Sequence, residues 1–196
     1  MELNRIVFPA PKPSYTTDHR HLYWVPKNQN NTKHIPVFFI KGPVFFKHLL
    51  IFFHGNAEDI GIASNFADLT GQCLEAHVVL VEYPSYGVYK GDSPTEKTIL
   101  EDSQIVYDWA VNQLNFSPKN VYVTGRSIGS GPATFLASTR QIKMLILLSP
   151  YMSLQDIAKD HFSFFGYMLK NRFNNIERIK EVHFPVFILH GMKVCL

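Results

Sequence analysis

Five residues have the types and spacing for covalent chemistry: Gly125-Arg126-Ser127-Ile128-Gly129, a G-x-S-x-G pattern. A serine hydroxyl attacks poorly until a base takes its proton and donors stabilise the oxyanion that forms. The setting gives the pattern weight. Val121 to Thr124 is a short apolar run with strand character. Gly129 to Thr139 has helical character and carries the small residues Gly131, Pro132 and Ala133. A serine on a sharp turn between strand and helix is a nucleophile elbow. Gly125 and Gly129 lack a Cβ and permit the close approach that such a turn needs. Ser127 is the candidate catalytic residue.

An oxyanion needs two backbone N–H donors. The residue after the nucleophile supplies one, here Ile128. The loop after an earlier buried strand supplies the other. That loop is His54-Gly55-Asn56, directly after Ile51-Phe52-Phe53, so Asn56 is the first candidate and Ala57 the next. His54 precedes Ser127, whereas the base in this arrangement comes last in the chain. It is read as a loop-shaping residue that hydrogen-bonds locally. The next strand leads into Glu82-Tyr83-Pro84-Ser85-Tyr86-Gly87. Tyr83 and Tyr86 either line a substrate pocket or pack this loop. No residue group has metal-ligand spacing, and no cofactor motif is present.

The elements that must hold these residues follow from periodicity. The first 18 residues, with Pro9, Pro11 and Pro13, are an irregular lead-in; residues 19–196 form one domain. Strands are expected over His19–Val25, Ile35–Ile40, Leu49–Phe53, Val78–Val81, Val121–Thr124, Met144–Leu148 and Val186–Leu189. Leu49–Phe53 has no polar alternation, which marks a strand buried on both faces of a parallel sheet. Ile60–Leu74 is expected to be a helix, with Ile62, Phe66, Leu69 and Cys73 at helical spacing. A second is expected over Thr95–Leu114, burying Ile99, Ile105, Ala110 and Val111 with Trp109 or Tyr107. Strand and helix alternate from residue 49 onward, the signature of an α/β sheet with helices on both faces. Residues 149–182 break the rhythm with an aromatic-rich stretch, HFSFFGYMLKNRF. It is either a small cap over the site or a crossover helix.

Bulk properties exclude other classes. The 196 residues suit one domain, and 46 % hydrophobic with 18 % charged residues supports a core. The net charge of +3 comes from scattered lysines and arginines, so no nucleic-acid surface is indicated. Two cysteines without a pairing pattern, and no signal-like apolar segment at the N-terminus, fit a cytoplasmic protein. The apolar run Ile35–Phe53 is interrupted by Lys41, Gly42, Pro43, Lys47 and His48. It is two strands rather than a transmembrane segment.

With these motifs in order, the chain resembles the alpha/beta-hydrolases. The group includes the depalmitoylating serine hydrolases of the alpha/beta-hydrolase-domain-17 type and the related bud-emergence hydrolases. The resemblance is carried by HGNAEDIG at 54–61, EYPSYGVYKGDSP at 82–94, GRSIGSGPATFLAS at 125–138, LLSPYMSL at 147–154 and FNNIERIKEVHFPVFILHG at 173–191. It implies an alpha/beta-hydrolase fold and a cofactor-free serine hydrolase acting on acyl esters or thioesters, with lipidated proteins among the candidate substrates. Ser127 resembles the nucleophile; Asn56 or Ala57, with Ile128, resemble the oxyanion donors. Peripheral membrane contact is compatible with that substrate class.

The resemblance also places the triad acid just after His190-Gly191 and the triad histidine after a further strand. The sequence instead continues Met192-Lys193-Val194-Cys195-Leu196. The expectation is therefore a C-terminally truncated domain, lacking the last strand and helix, inactive alone and poorly soluble. Asp160-His161 are neighbours, but adjacent helical residues diverge by about 100° and make no base–orienter pair. Two other functions share the fold: a non-catalytic binding protein, and a peptidase of the prolyl-oligopeptidase type.

Overall fold

The computed structural model describes residues 7–28, 30, 32–152 and 173–191. The strands are β1 (Leu22–Pro26), β2 (His34–Ile40), β3 (His48–Phe53), β4 (Ala76–Val81), β5 (Val121–Arg126), β6 (Met144–Leu148) and β7 (Val186–Leu189). The α-helices are α1 (Ile60–Cys73), α2 (Glu96–Asn112), α3 (Ser130–Thr139) and the short α4 (Asn175–Arg178). The strands form one sheet in the order β1-β2-β4-β3-β5-β6-β7. β2 runs antiparallel to both β1 and β4, and the remaining pairs are parallel.

β3 lies in the middle because its sequence suits no other place. Leu49 to Phe53 are all fully buried. Leu49, Ile51 and Phe53 enter the core that includes α2 and α3; Leu50 and Phe52 enter the core beneath α1. Burying each such side chain contributes about 1.5–3 kcal/mol. Helices therefore cover both faces, as the alternating pattern requires. The apolar run Ile35–Phe53 is two strands and a turn. No helix among the described residues is long and apolar enough to cross a membrane.

α1 spans the expected residues but turns its apolar stripe outward. Ile62, Phe66 and Leu69 are 52 %, 43 % and 61 % exposed, and Cys73 is exposed too. Ala63, Ala67 and Gly71 face the sheet instead. The reason is clearance: a Cβ on Gly71 would stand 2.3 Å from Val78 Cγ2. Small residues let the helix lie directly on the sheet. In α2, Ile99 and Ala110 are buried as expected, Tyr107 is the buried aromatic, and Ile105, Trp109 and Val111 are half-buried. Thr95 and Thr98 form a reciprocal capping box at its start. β1 begins at Leu22 rather than His19, because the Leu22 N–H closes a turn on the His19 carbonyl.

Residues 8–18 run through bends and turns and pack into the domain. Phe8 and Tyr15 are buried, and Phe8 meets Phe173 edge-on at 6.4 Å. Of the segment 149–182, residues 153–172 lie outside the described residues, so the choice between cap and crossover helix falls outside them as well. Where the chain re-enters, Phe173 is fully buried against Gly131, and Asn175 Nδ2 donates to Ser130 Oγ at 3.0 Å.

β7 forms the sheet edge, and Val186 to Leu189 are 38–59 % exposed. An uncovered apolar edge strand is a template for association. Charging it through Phe187→Lys with Leu189→Lys is expected to reduce light scattering on warming without changing the circular dichroism spectrum. Equal or greater scattering would show that aggregation starts elsewhere.

Candidate active site

Ser127 follows β5 at the carboxyl end of the parallel strands, in a single 3-10 turn (Ser127–Gly129) that leads into α3. Its φ of 51° is left-handed, which costs a non-glycine residue energy and survives only where neighbours enforce it. The glycines provide the enforcement. A Cβ on Gly125 would lie 2.3 Å from the Gly129 carbonyl oxygen; one on Gly129 would lie 2.2 Å from the Phe53 oxygen. The turn is thus pressed against the end of β3, beside the loop that begins at His54. Ser127 itself is exposed. Among the described residues no side chain hydrogen-bonds to its hydroxyl.

The expected oxyanion loop lies against this turn. Neither the Asn56 nor the Ala57 N–H is used in a hydrogen bond among the described residues, and the same holds for Ile128. Ala57 has a φ of 53°, so the loop turns sharply there. The Asn56 side chain is engaged at both ends within the protein. Its Nδ2 donates to the Val7 carbonyl at 2.8 Å, and its Oδ1 accepts from the Tyr86 hydroxyl at 2.7 Å. Tyr83 and Tyr86 are both buried, and Tyr83 donates to the His54 carbonyl at 2.8 Å. Burial pushes both phenols above the usual tyrosine range, so they remain donors.

His54 is fully buried. Its Nδ1 faces the Gly55 carbonyl at 2.9 Å, the local bond expected of it, and its Nε2 faces Glu82 Oε1 at 3.0 Å. Glu82, also fully buried, accepts in addition from Tyr15 Oη at 2.8 Å, the Tyr83 N–H at 3.1 Å and the Ile60 N–H at 3.3 Å. A second tie joins the elbow to the loop. The Arg126 guanidinium pairs with the Glu58 carboxylate and lies over the Phe66 ring, while Glu58 Oε1 accepts the Gly55 N–H. Motif reasoning missed Glu82, Tyr15, Glu58 and Arg126 as site-shaping residues. The available signal was charge inside apolar surroundings: an acid ending the strand run VVLVE and a cation inside G-x-S-x-G.

The loop after β4 is fastened at its far end. Lys27 Nζ lies 2.8 Å from Asp92 and 2.7 Å from the buried Asp102, and Tyr89 Oη donates to Asp102 Oδ2 at 2.8 Å. Among the described residues no group of three or more His, Cys, Asp or Glu could hold a metal ion.

A mostly parallel sheet, helices on both faces and a strained serine turn after β5 define the alpha/beta-hydrolase fold. Solved structures share it. The Vibrio vulnificus alpha-beta hydrolase superimposes with a TM-score of 0.67 at 18 % identity, over 80 % of this chain and 59 % of that one. The Pyrococcus furiosus esterase Pf2001 gives 0.69 at 15 %, over 92 % and 76 %. In sequence, the chain is 32 % identical over 149 residues to alpha/beta hydrolase domain-containing protein 17B of Homo sapiens, covering 74 % of this chain and 49 % of the relative. Protein 17C of Mus musculus is 31 % identical over 149 residues, covering 74 % and 44 %. The chain spans about half the length of these relatives. No family model matches it. It is an alpha/beta-hydrolase-fold protein related to the domain-17 proteins.

Two outcomes follow from this geometry. Glu82→Ala should cost about 3–5 kcal/mol by leaving His54 unpaired in the core, seen as a lower urea midpoint; a loss below about 1 kcal/mol would mean that the network carries little. Hydrogen bonds from Lys27, then Lys33, hold the Asp92 carboxyl below its ordinary 3.8. Its contribution, about 1 kcal/mol, is present above that pH and lost as pH falls through the lower folded value. Asp92→Asn should flatten the acid limb of the stability–pH curve; an unchanged limb would exclude the pairing as its source.

Proposed function

We propose that this chain is the nucleophile-bearing part of a serine hydrolase for acyl esters or thioesters, with Ser127 as nucleophile. The observation that carries this reading is the strained, exposed Ser127 between two glycines, pressed beside a loop with unused N–H groups. Ser127 Oγ attacks the acyl carbonyl carbon and the proton passes to a base. The Ile128 N–H, with that of Asn56 or Ala57, holds the oxyanion. The alcohol or thiol then leaves with a proton, and water releases the acid from the acyl-serine. Depalmitoylation of lipidated proteins is the narrower substrate proposal, motivated by the resemblance to domain-17-type depalmitoylases.

No base is hydrogen-bonded to Ser127 among the described residues. The chain alone should therefore show only the residual catalysis that oxyanion binding supports, about 10³–10⁴-fold over water. A second reading, a non-catalytic fold used for binding, is favoured by the lack of any side-chain hydrogen bond to the Ser127 hydroxyl among the described residues.

Hydrolysis of a medium-chain p-nitrophenyl ester separates the two, alongside labelling by a fluorophosphonate. The expected result is slow turnover and weak labelling, with the labelling abolished by Ser127→Ala while the fold stays intact. Labelling unaffected by Ser127→Ala, or absent from a folded wild-type chain, would refute the nucleophile assignment and favour binding.

A further inference from the structure

The end of the sheet opposite Ser127 carries a feature that hydrolysis does not use. β2 runs antiparallel to β4 and β3 runs parallel to it, so their connection, residues 41–47, lies at the amino end of the parallel strands. In this Lys-Gly-Pro-Val-Phe-Phe-Lys turn, Val44 is 99 % exposed and Phe45 70 %. Returning either to an apolar phase is worth about tenfold or more in partition.

The exposure is built. The Phe46 N–H donates to the Pro43 carbonyl at 3.0 Å and closes the turn. The His77 ring braces it from within: Nδ1 accepts the Gly42 N–H at 3.1 Å, and Nε2 faces the Phe46 carbonyl at 3.1 Å. The Phe46 ring packs on His77 and over Gly42, where a Cβ would stand 2.6 Å from it. One phenylalanine is anchored inward, and the two residues before it are held outward.

Positive charge surrounds the tip. Lys41 and Lys47 flank it and are exposed, as is Lys119, just ahead of β5. Lys143, just ahead of β6, reaches His48 Nε2 at 2.6 Å beside the root of the turn. The acids toward this end include Glu75, in the turn before β4, Asp68 toward the end of α1, Glu181 ahead of β7, and Asp108, which pairs with Arg140. A convex tip of two side chains is far too small for a stable protein interface, which buries about 1,200–2,000 Å². Apolar residues projecting from a ring of lysines suit a fluid anionic surface, where each lysine adds about fivefold in binding.

We propose that Val44 and Phe45 form a membrane-docking tip that enters the headgroup region of an anionic bilayer, with Lys41, Lys47, Lys119 and Lys143 facing the lipid phosphates. Docked this way, the sheet stands on the bilayer and Ser127 opens away from it, about 20 Å higher for a six-residue strand.

Cosedimentation of the whole chain with phosphatidylcholine vesicles tests this, with and without about 30 mol % phosphatidylserine. Wild type should bind the anionic vesicles, and lose at least about tenfold without phosphatidylserine or in about 0.5 M salt. Val44→Ser with Phe45→Ser should lose at least about tenfold, and Lys41→Glu with Lys47→Glu a similar factor. Both doubles should keep the wild-type circular dichroism spectrum. The β7 double, Phe187→Lys with Leu189→Lys, should bind like wild type. No binding to anionic vesicles, equal binding by the Val44/Phe45 double, or loss of binding in the β7 double would overturn the proposal. So would a lipid-free dimer that the Val44/Phe45 double dissolves while vesicle binding is absent.

Discussion

The buried Glu82 carboxylate is the constraint on which the site depends. It gathers donors from four places: Tyr15 in the lead-in, His54 after β3, Ile60 at the start of α1 and Tyr83 beside it. A desolvated carboxylate is tolerable only when its lone pairs are filled. That requirement converts an electrostatic cost into positional order. His54 is fixed by its bond to Glu82, the Tyr83 hydroxyl holds the His54 carbonyl, and Tyr86 holds Asn56. The loop beside Ser127 is thereby shaped from beneath, by groups that need not touch any substrate.

The elbow is shaped from the other side. Positive φ at Ser127 and Ala57 places two strained residues on facing segments. Each is countered by packing rather than by its own conformational preference: Gly129 against the β3 terminus, Arg126 against Glu58. The two segments are coupled by direct contact, so a change in one is transmitted to the other over a single layer of backbone.

Much of the fold is legible in the sequence because it is local. Leu49–Phe53 declares a central strand by having no polar position, and Met144–Leu148 and Val186–Leu189 have the observed bounds. The turn at Ser127 is legible because its glycines sit two residues to either side. What the sequence conceals is pairing across distance. Tyr15 meets Glu82 across 67 residues and Arg126 meets Glu58 across 68, and nothing in one sequence couples such positions. The α1 stripe misleads for a related reason. Hydrophobicity favours Ile62, Phe66 and Leu69 as the inner face, but the decisive quantity is the distance from helix to sheet, and Gly71 sets that distance.

The strand order has a consequence for how the chain acquires its shape during synthesis. β3 precedes both of its parallel neighbours, β4 and β5, and β5 ends only at Arg126. Until then a strand whose residues Leu49–Phe53 are all buried in the finished fold has one side without a partner. Non-local parallel pairing of this kind is slow and leaves sticky intermediates. The segment between β3 and β5 has to be made before the centre of the sheet can close.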